Sequence, residues 1–248
     1  MARALRSVGH EVLGPFGRGY DLSTAGIDVD AVIVATSDDA IARVAGQISP
    51  GPDCVVLHLS GSLGLEVLST HERRGALHPL VPLPTVELGA ERLVSGITFA
   101  VAGDPLVNEL AASLGGRIVK VADENRGTYH AAACIAANHV VALLGQVERV
   151  AEAAGLSLDA FLDLTRAAVD DVARLGPRSA LTGPAARGDW ATLERHLGAL
   201  DPSEHAGYRA GVGLALELIA VSEPDLVAEE PADDVPEVRT PSVAALVG

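Results

Sequence analysis

The segment MARALRSVGHEVLGPFGRG, residues 1–19, decides the fold, because it has the pattern of the second half of a strand–helix–strand unit. The pattern predicts a helix, a turn at Gly9 and a strand from His10 to Gly14, with no strand ahead of the helix. In doubly wound dinucleotide folds, the strand before such a helix and its Gly-rich turn hold the cofactor phosphates. We therefore expect a fold of this type in which the first strand and its turn are missing.

The residues up to Val121 continue this pattern, with short apolar runs that alternate with helical stretches. The further runs are 31–35 (AVIVA), 54–59 (CVVLHL), 97–102 (ITFAVA) and 117–121, separated by helices such as 38–47 and 105–114. Apolar runs of this length indicate parallel strands that are buried on both faces. We expect residues 1–122 to form an α/β domain with a doubly wound, mainly parallel, Rossmann-like sheet.

The missing first strand belongs in the middle of this sheet, between His10–Gly14 and Ala31–Ala35. Its absence would leave backbone groups of both neighbours unpaired, at about 1–3 kcal/mol for each buried group. Two explanations stay open: the natural chain starts upstream of Met1, or the sheet is rearranged. We expect the first, because Met1 can be an internal methionine.

The residue composition changes after Asp123, where long Ala- and Leu-rich segments replace the β-branched runs. This change predicts an all-α domain over residues 123–222. From Glu223 onward, four prolines interrupt a strongly acidic run, which indicates a disordered, solvated tail over residues 223–248.

Composition excludes several classes of function. The formal net charge is -15 and aromatic residues make up 3% of the chain, which argues against a nucleic-acid partner. No apolar stretch approaches the roughly 18 residues of a membrane span, and no signal-peptide pattern follows Met1. The two cysteines, Cys54 and Cys134, have no spacing typical of a metal or redox site. We expect a cytoplasmic protein without metal, nucleic-acid or membrane partners.

Candidate cofactor contacts follow the predicted strands, at the edge where open α/β sheets bind ligands. Arg18 comes just after the His10–Gly14 strand, where an arginine suits the 2′-phosphate of NADP, although Asp21 nearby keeps NAD open. Small polar residues follow the next two strands, where helix capping is the alternative explanation. They are Thr36 and Ser37 after AVIVA, and Ser60 and Gly61 after CVVLHL.

Candidate catalytic residues are those that can move or hold a proton. His78 ends a short strand before a Pro-rich loop, and its ordinary pKa near 6.5 suits proton exchange with a substrate. Tyr129, His130 and Asn138 lie in an otherwise apolar helix, where 130, 134 and 138 share one face at i, i+4, i+8 spacing. Turn packing for His78 and helix–helix hydrogen bonding for the stripe remain the alternatives. Further along, Thr182 and Arg187 lie in a turn-rich loop and are candidates for binding a substrate carboxylate.

Five segments together resemble a family of uncharacterised Rossmann-like proteins with a DUF2520 C-terminal domain. They are GHEVLGPFGRG, LHLSGSLGLEVL, GALHPL, YHAAACIAANH and ALTGPAARGDWATLERHL. That family is similar to F420-dependent NADP oxidoreductases and 6-phosphogluconate-dehydrogenase-like enzymes. The resemblance implies an NADP-binding domain, a helical domain that packs over the cleft and forms a homodimer, and a site between the two domains. NADP is the expected cofactor, with NAD and F420 as alternatives.

The sequence departs from the pattern of this family in two ways. The first strand and Gly-rich turn of the family are missing ahead of residue 1, and a lysine that many related dehydrogenases carry four residues before the asparagine is Cys134 here. Without that ammonium group, a proton-transfer role passes to His78, His130 or Tyr129. Two hypotheses follow: an NADP-dependent oxidoreductase of a small carbonyl or hydroxy-acid substrate, or a non-catalytic metabolite-binding or regulatory protein.

Overall fold

The structure, a computed structural model, describes residues 1–220 and 243–247. The chain divides into two units, Met1–Ile135 with Asp234–Gly248, and Ala136–Asp233. The sequence placed the boundary at residue 122, whereas the structure places it after Ile135. The reason is that the helix after residue 125 bonds to the sheet domain through Tyr129 and Arg126.

A seven-stranded sheet forms the core of the first unit, in the order β1-β7-β2-β3-β4-β5-β6. Its strands are β1 (Val12–Phe16), β2 (Ala31–Ala35), β3 (Val55–His58), β4 (Arg74–Pro79), β5 (Thr98–Gly103), β6 (Arg117–Lys120) and β7 (Val243–Val247). All neighbouring strands run parallel except β4 and β5. The expected doubly wound, mainly parallel Rossmann-like sheet is confirmed.

Strand β7 lies in the position that the sequence analysis left empty. It pairs in parallel with β2 from Ala31↔Val243 to Ala35↔Val247, and with β1 on its other side. The sheet is therefore rearranged in chain order, with the strand between β1 and β2 supplied by residues 243–247. The prediction of a disordered tail is wrong for this stretch, while residues 223–242 and Gly248 lie outside the described residues.

The helices of the first unit are α1 (Ala2–Ser7), α2 (Asp38–Ala45), α3 (Val86–Leu93), α4 (Leu106–Ser113) and α5 (Arg126–Cys134). Two apolar cores lie on the two faces of the sheet, because successive side chains of a strand point to opposite faces. Ile33 joins Leu57 and Phe99 in one core, whereas Val32 packs with Ile41 in the other. Each fully buried side chain of this size contributes about 1.5–3 kcal/mol.

The second unit consists of helices in its described part, as expected from the sequence. They are α6 (Val140–Ala153), α7 (Asp159–Leu175), α8 (Pro177–Ala180), α9 (Pro184–Arg187), α10 (Trp190–Ala199) and α11 (His205–Ala220). Asp189 caps α10 by accepting a hydrogen bond from the Thr192 amide at 3.1 Å. The helical stretch Asp123–Ala153 is apolar and long enough to cross a membrane by length and composition alone, a test that core helices of soluble proteins also pass.

Candidate active site

The carboxyl ends of parallel strands β2, β3 and β4 meet at one edge of the sheet, because these strands pair in register. His58 ends β3, and His78 lies one residue before the end of β4. Thr36 and Ser37 follow β2 at the same edge. The sequence prediction that these residues share an edge is therefore confirmed for the strands that carry them.

The loop after β3, residues 60–64, is held by a network centred on Ser60 and Asp38. The Ser60 hydroxyl donates to Asp38 Oδ2 at 2.8 Å and accepts from the amides of Ser62 and Leu63 at 3.2 and 3.1 Å. The Ser62 hydroxyl donates to the same carboxylate oxygen at 2.7 Å. Since Ser60 is buried and its hydroxyl is engaged within the loop, its side chain shapes the loop and is not free to bind a cofactor.

His58 is a fully buried histidine whose tautomer is fixed by its neighbours. Its Nδ1 accepts from the Ser60 amide at 3.2 Å, so the proton lies on Nε2, which donates to the Gly64 carbonyl at 3.3 Å. Burial, with the Arg126 charge as a second cause, lowers the pKa of His58 to about 4. Both ring nitrogens of His58 therefore have partners, and its role is structural.

His78, Tyr129 and His130 come together over Gly61. The Nδ1 atom of His78 lies 2.6 Å from the Tyr129 hydroxyl, and the His78 and His130 rings are 6.1 Å apart, edge to face. A Cβ atom at Gly61 would stand 2.9 Å from His78 Nε2 and 2.8 Å from His130 Cδ2. Only glycine therefore fits under the two imidazoles.

The His78–Tyr129 pair is neutral at pH 7. Burial first, then the charges of His130 and Arg126, lower the pKa of His78 to about 4, and burial raises the pKa of Tyr129. A neutral imidazole that is hydrogen-bonded to a phenol can accept a proton from a substrate hydroxyl or pass one back. This pair is the group in the site that is best suited to acid–base chemistry.

Arg126 is the buried charge of the site, and the sequence analysis did not single it out. Its Nη1 donates to the Ser60 carbonyl at 3.2 Å, and its Nε lies 3.6 Å from Asp123 Oδ1. Its Nε and Nη2 atoms are closed to solvent and have no hydrogen-bond partner. Its spacing is the sequence signal that could have identified it: Arg126 lies three residues before Tyr129 and four before His130 on one helix.

The neighbouring carboxyl edge, formed by β1, β7 and β2, carries the predicted cofactor residues. Arg18 is exposed in the loop after β1, where Phe16 and Tyr20 stack at 3.9 Å. Ser37 is exposed, and the Thr36 hydroxyl donates only a long bond of 3.3 Å to the Ser37 carbonyl. Accessible hydroxyls and a guanidinium suit the ribose and phosphate groups of a dinucleotide.

Three predicted residues belong to the helical unit. Thr182 and Arg187 are exposed there, and Thr182 borders a cavity of about 930 Å³ among α6, α10 and α11. Asn138 lies in a π-helical turn, Ile135–His139, which changes the register of the helix. The i, i+4 spacing therefore holds for His130 and Cys134, whose Nε2 and Sγ are 4.0 Å apart, but does not extend to Asn138.

Part of the chain matches a known protein family. Residues 94–213 match the family described as a domain of unknown function, DUF2520. The match covers 120 of the 248 residues, and over this part the chain is similar to DUF2520 proteins. No curated protein matches the chain.

Several solved structures share the fold of this chain. Protein TM1727 of Thermotoga maritima is 28% identical, with a TM-score of 0.64, covering 76% of this chain and 77% of that one. BF3122 of Bacteroides fragilis, described as a candidate NADP oxidoreductase, is 21% identical, with a TM-score of 0.68 and coverage of 87% and 92%. Plasmodium falciparum pyrroline carboxylate reductase, solved with NADP bound, is 13% identical, with a TM-score of 0.54 and coverage of 88% and 93%. The proteins of similar fold thus include a reductase that was solved with NADP bound.

Proposed function

We propose that this protein is an NADP-dependent oxidoreductase that interconverts a small carbonyl compound and the corresponding hydroxyl compound, such as a hydroxy acid. The observation that carries the proposal is the 2.6 Å contact between His78 Nδ1 and the Tyr129 hydroxyl at the carboxyl edge of the sheet. Neighbours of the same fold that are named as NADP-dependent reductases support the cofactor class.

In this proposal the residues divide into two groups. Arg18 takes the 2′-phosphate, which favours NADP over NAD and F420, while Thr36 and Ser37 contact the ribose or nicotinamide. Gly61 lets the loop after β3 pass directly under the two imidazoles, because it has no side chain. The nicotinamide, when bound, supplies or accepts the hydride.

His78 exchanges the proton with the substrate oxygen, and Tyr129 orients the imidazole through Nδ1. At neutral pH the imidazole is in its base form, because its pKa is lowered to about 4. His130 lies edge to face with the His78 ring and adds a second polar side chain to the site. Asn138, Thr182 and Arg187 remain candidates for substrate contacts from the helical unit.

The test is reduction of NADP⁺, followed by absorbance, with a panel of small alcohols and hydroxy acids, because the neutral His78 accepts the substrate proton in this direction. We expect His78→Gln to lower the rate about 100-fold or more, since general acid–base groups contribute roughly 10²–10⁴. The matched control is His139→Gln, an exposed histidine outside the site, which leaves the rate unchanged. NADPH binding without turnover of any compound would favour the alternative, a non-catalytic metabolite-binding protein.

We also propose a cytoplasmic homodimer that forms through the helical domain. Large apolar side chains are exposed on α6, α7, α10 and α11, including Val141 (69%), Leu164 (69%) and Leu214 (65%). Exposed apolar area on this scale is typical of a surface that another chain covers. Light scattering after size-exclusion chromatography should give twice the mass of the chain, and a monomer at micromolar concentration would contradict the proposal.

A further inference from the structure

We propose that Arg126 binds the carboxylate of the substrate, which makes the substrate a small 2-oxo or 2-hydroxy acid; this rests on the proposed function. Arginine presents its N–H groups in a planar fork that matches the two oxygens of a carboxylate. The sequence analysis assigned this task to Thr182 or Arg187, whereas the sheet domain contains its own buried guanidinium.

The first argument is the unmet hydrogen-bonding capacity of Arg126. The side chain is 1% exposed, yet only Nη1 has a partner, the Ser60 carbonyl. A buried charged group that lacks partners is costly, so such groups normally have them. The N–H groups of Nε and Nη2 have no hydrogen-bond partner among the described residues, which indicates a partner that is absent from the chain itself.

Asp123 is not the missing hydrogen-bond partner of Arg126. Its Oδ2 accepts a hydrogen bond from the Leu65 amide at 2.8 Å, and its Oδ1 stands 3.6 Å from Arg126 Nε, beyond hydrogen-bond length. The carboxylate therefore holds the loop after β3 and offsets the charge of Arg126 from a distance. It leaves Nη2 without an acceptor.

The second argument is the face of α5 on which Arg126 lies. Tyr129 and His130 follow it at i+3 and i+4, so the three side chains are neighbours, with Cβ atoms about 5–6 Å apart. The Tyr129 hydroxyl is bonded to His78, and Arg126 is bonded to the loop that carries Gly61. The guanidinium and the proton-transfer pair are therefore near neighbours beside the loop after β3, close enough for the Arg126 charge to lower the pKa of His78.

This arrangement defines the substrate class. A carboxylate on Arg126 would lie next to the pair that handles the proton, so the reacting carbon of the substrate must be close to its carboxylate. A 2-oxo or 2-hydroxy acid meets this condition, whereas a simple ketone or aldehyde would leave the guanidinium unpaired. Arg126 is then a specificity-determining residue, and the loop of residues 60–64 must yield locally for the acid to reach Nη2.

The experiment uses oxalate as a rigid two-carbon probe and oxamide, of the same size but neutral, as its control ligand. Calorimetric titrations at pH 7 compare the wild-type chain with Arg126→Gln, Arg126→Lys and a control, Arg117→Gln, on the exposed edge strand β6. We expect oxalate to bind the wild type and Arg117→Gln equally. We expect at least a tenfold loss in Arg126→Gln, a smaller loss in Arg126→Lys and no such dependence for oxamide.

A second measurement does not depend on how well the variants fold. The ¹⁵N-edited NMR resonance of Arg126 Nε–H in the wild-type chain, assigned by its loss in Arg126→Lys, should shift on addition of oxalate and not of oxamide. Equal oxalate affinity in wild type and Arg126→Gln, no oxalate binding by the wild type, or an unmoved resonance would overturn the proposal.

A parallel NADPH titration separates this proposal from the proposed function. Failure of the wild type to bind NADPH would count against the oxidoreductase, even where oxalate binds through Arg126. If Arg126→Gln weakened NADPH tenfold and left oxalate unaffected, the guanidinium would serve a cofactor phosphate, and the substrate assignment would be wrong.

Discussion

Strand β7 should be essential for the stability of the sheet domain, and a single proline tests this. Ala245 is the middle residue of β7, which lies between β1 and β2. Ala245→Pro removes one N–H from the ladder and leaves an acceptor unpaired within the sheet. A lost hydrogen bond contributes about 1 kcal/mol and a buried unpaired acceptor about 1–3 kcal/mol, which together suggest about 3 kcal/mol.

The matched control is Ala245→Gly, which keeps the N–H and is expected to cost about 0.5–1 kcal/mol. For a unit of this size, each kcal/mol lowers Tm by about 2–4 °C, so the proline should lower it by about 10 °C and the glycine by about 3 °C. Circular dichroism melting curves measure both. Equal Tm values for the two variants would refute the reasoning, because a segment outside the sheet has no ladder bond to lose.

Other predictions concern the site. Gly61→Ala should lower the free energy of unfolding by about 1–3 kcal/mol, because its Cβ would collide with two imidazoles. Gly51→Ala is the control, since a Cβ there meets open space and should leave the free energy of unfolding unchanged. Urea titration measures both. Because the pKa of His58 is about 4 in the folded protein and near 6.5 when unfolded, the unfolded chain binds more protons between these values, and stability falls by about 2 kcal/mol from pH 7 to pH 5. His58→Gln should reduce that loss, and an unchanged pH dependence would contradict the pKa assignment. Tyr129→Phe should lower kcat about tenfold more than it raises KM, since it removes only the bond that orients His78; a change confined to KM would argue against this role.

Much of the fold could be predicted from the sequence, because buried parallel strands have an unmistakable pattern. AVIVA is a strand over the very residues expected, Ala31–Ala35. The strand at residues 243–247 was missed for a physical reason: a short apolar run behind an acidic, Pro-rich stretch has no helix or turn nearby to mark it as part of a sheet. The expectation that a further strand lies between β1 and β2 was correct, but the position of this strand in the chain was predicted wrongly.

The candidate site was predicted in part. His78 and Tyr129 were chosen separately, one at a strand end and one on a helix, and their contact could not be read from spacing because 51 residues separate them. Arg126 was overlooked because an arginine at a helix start usually faces water, and only tertiary packing buries it. Asn138 was assigned to the face of His130 by α-helical spacing, which the π-helical turn interrupts.

The most direct test of the central claim is a calorimetric titration of the full chain with NADPH and with NADH. The account predicts that NADPH binds at micromolar concentration, more tightly than NADH, and that Arg18→Ala removes this preference by weakening NADPH alone. The same affinity for both nucleotides in the wild type, or no heat of binding up to millimolar NADPH, would contradict it.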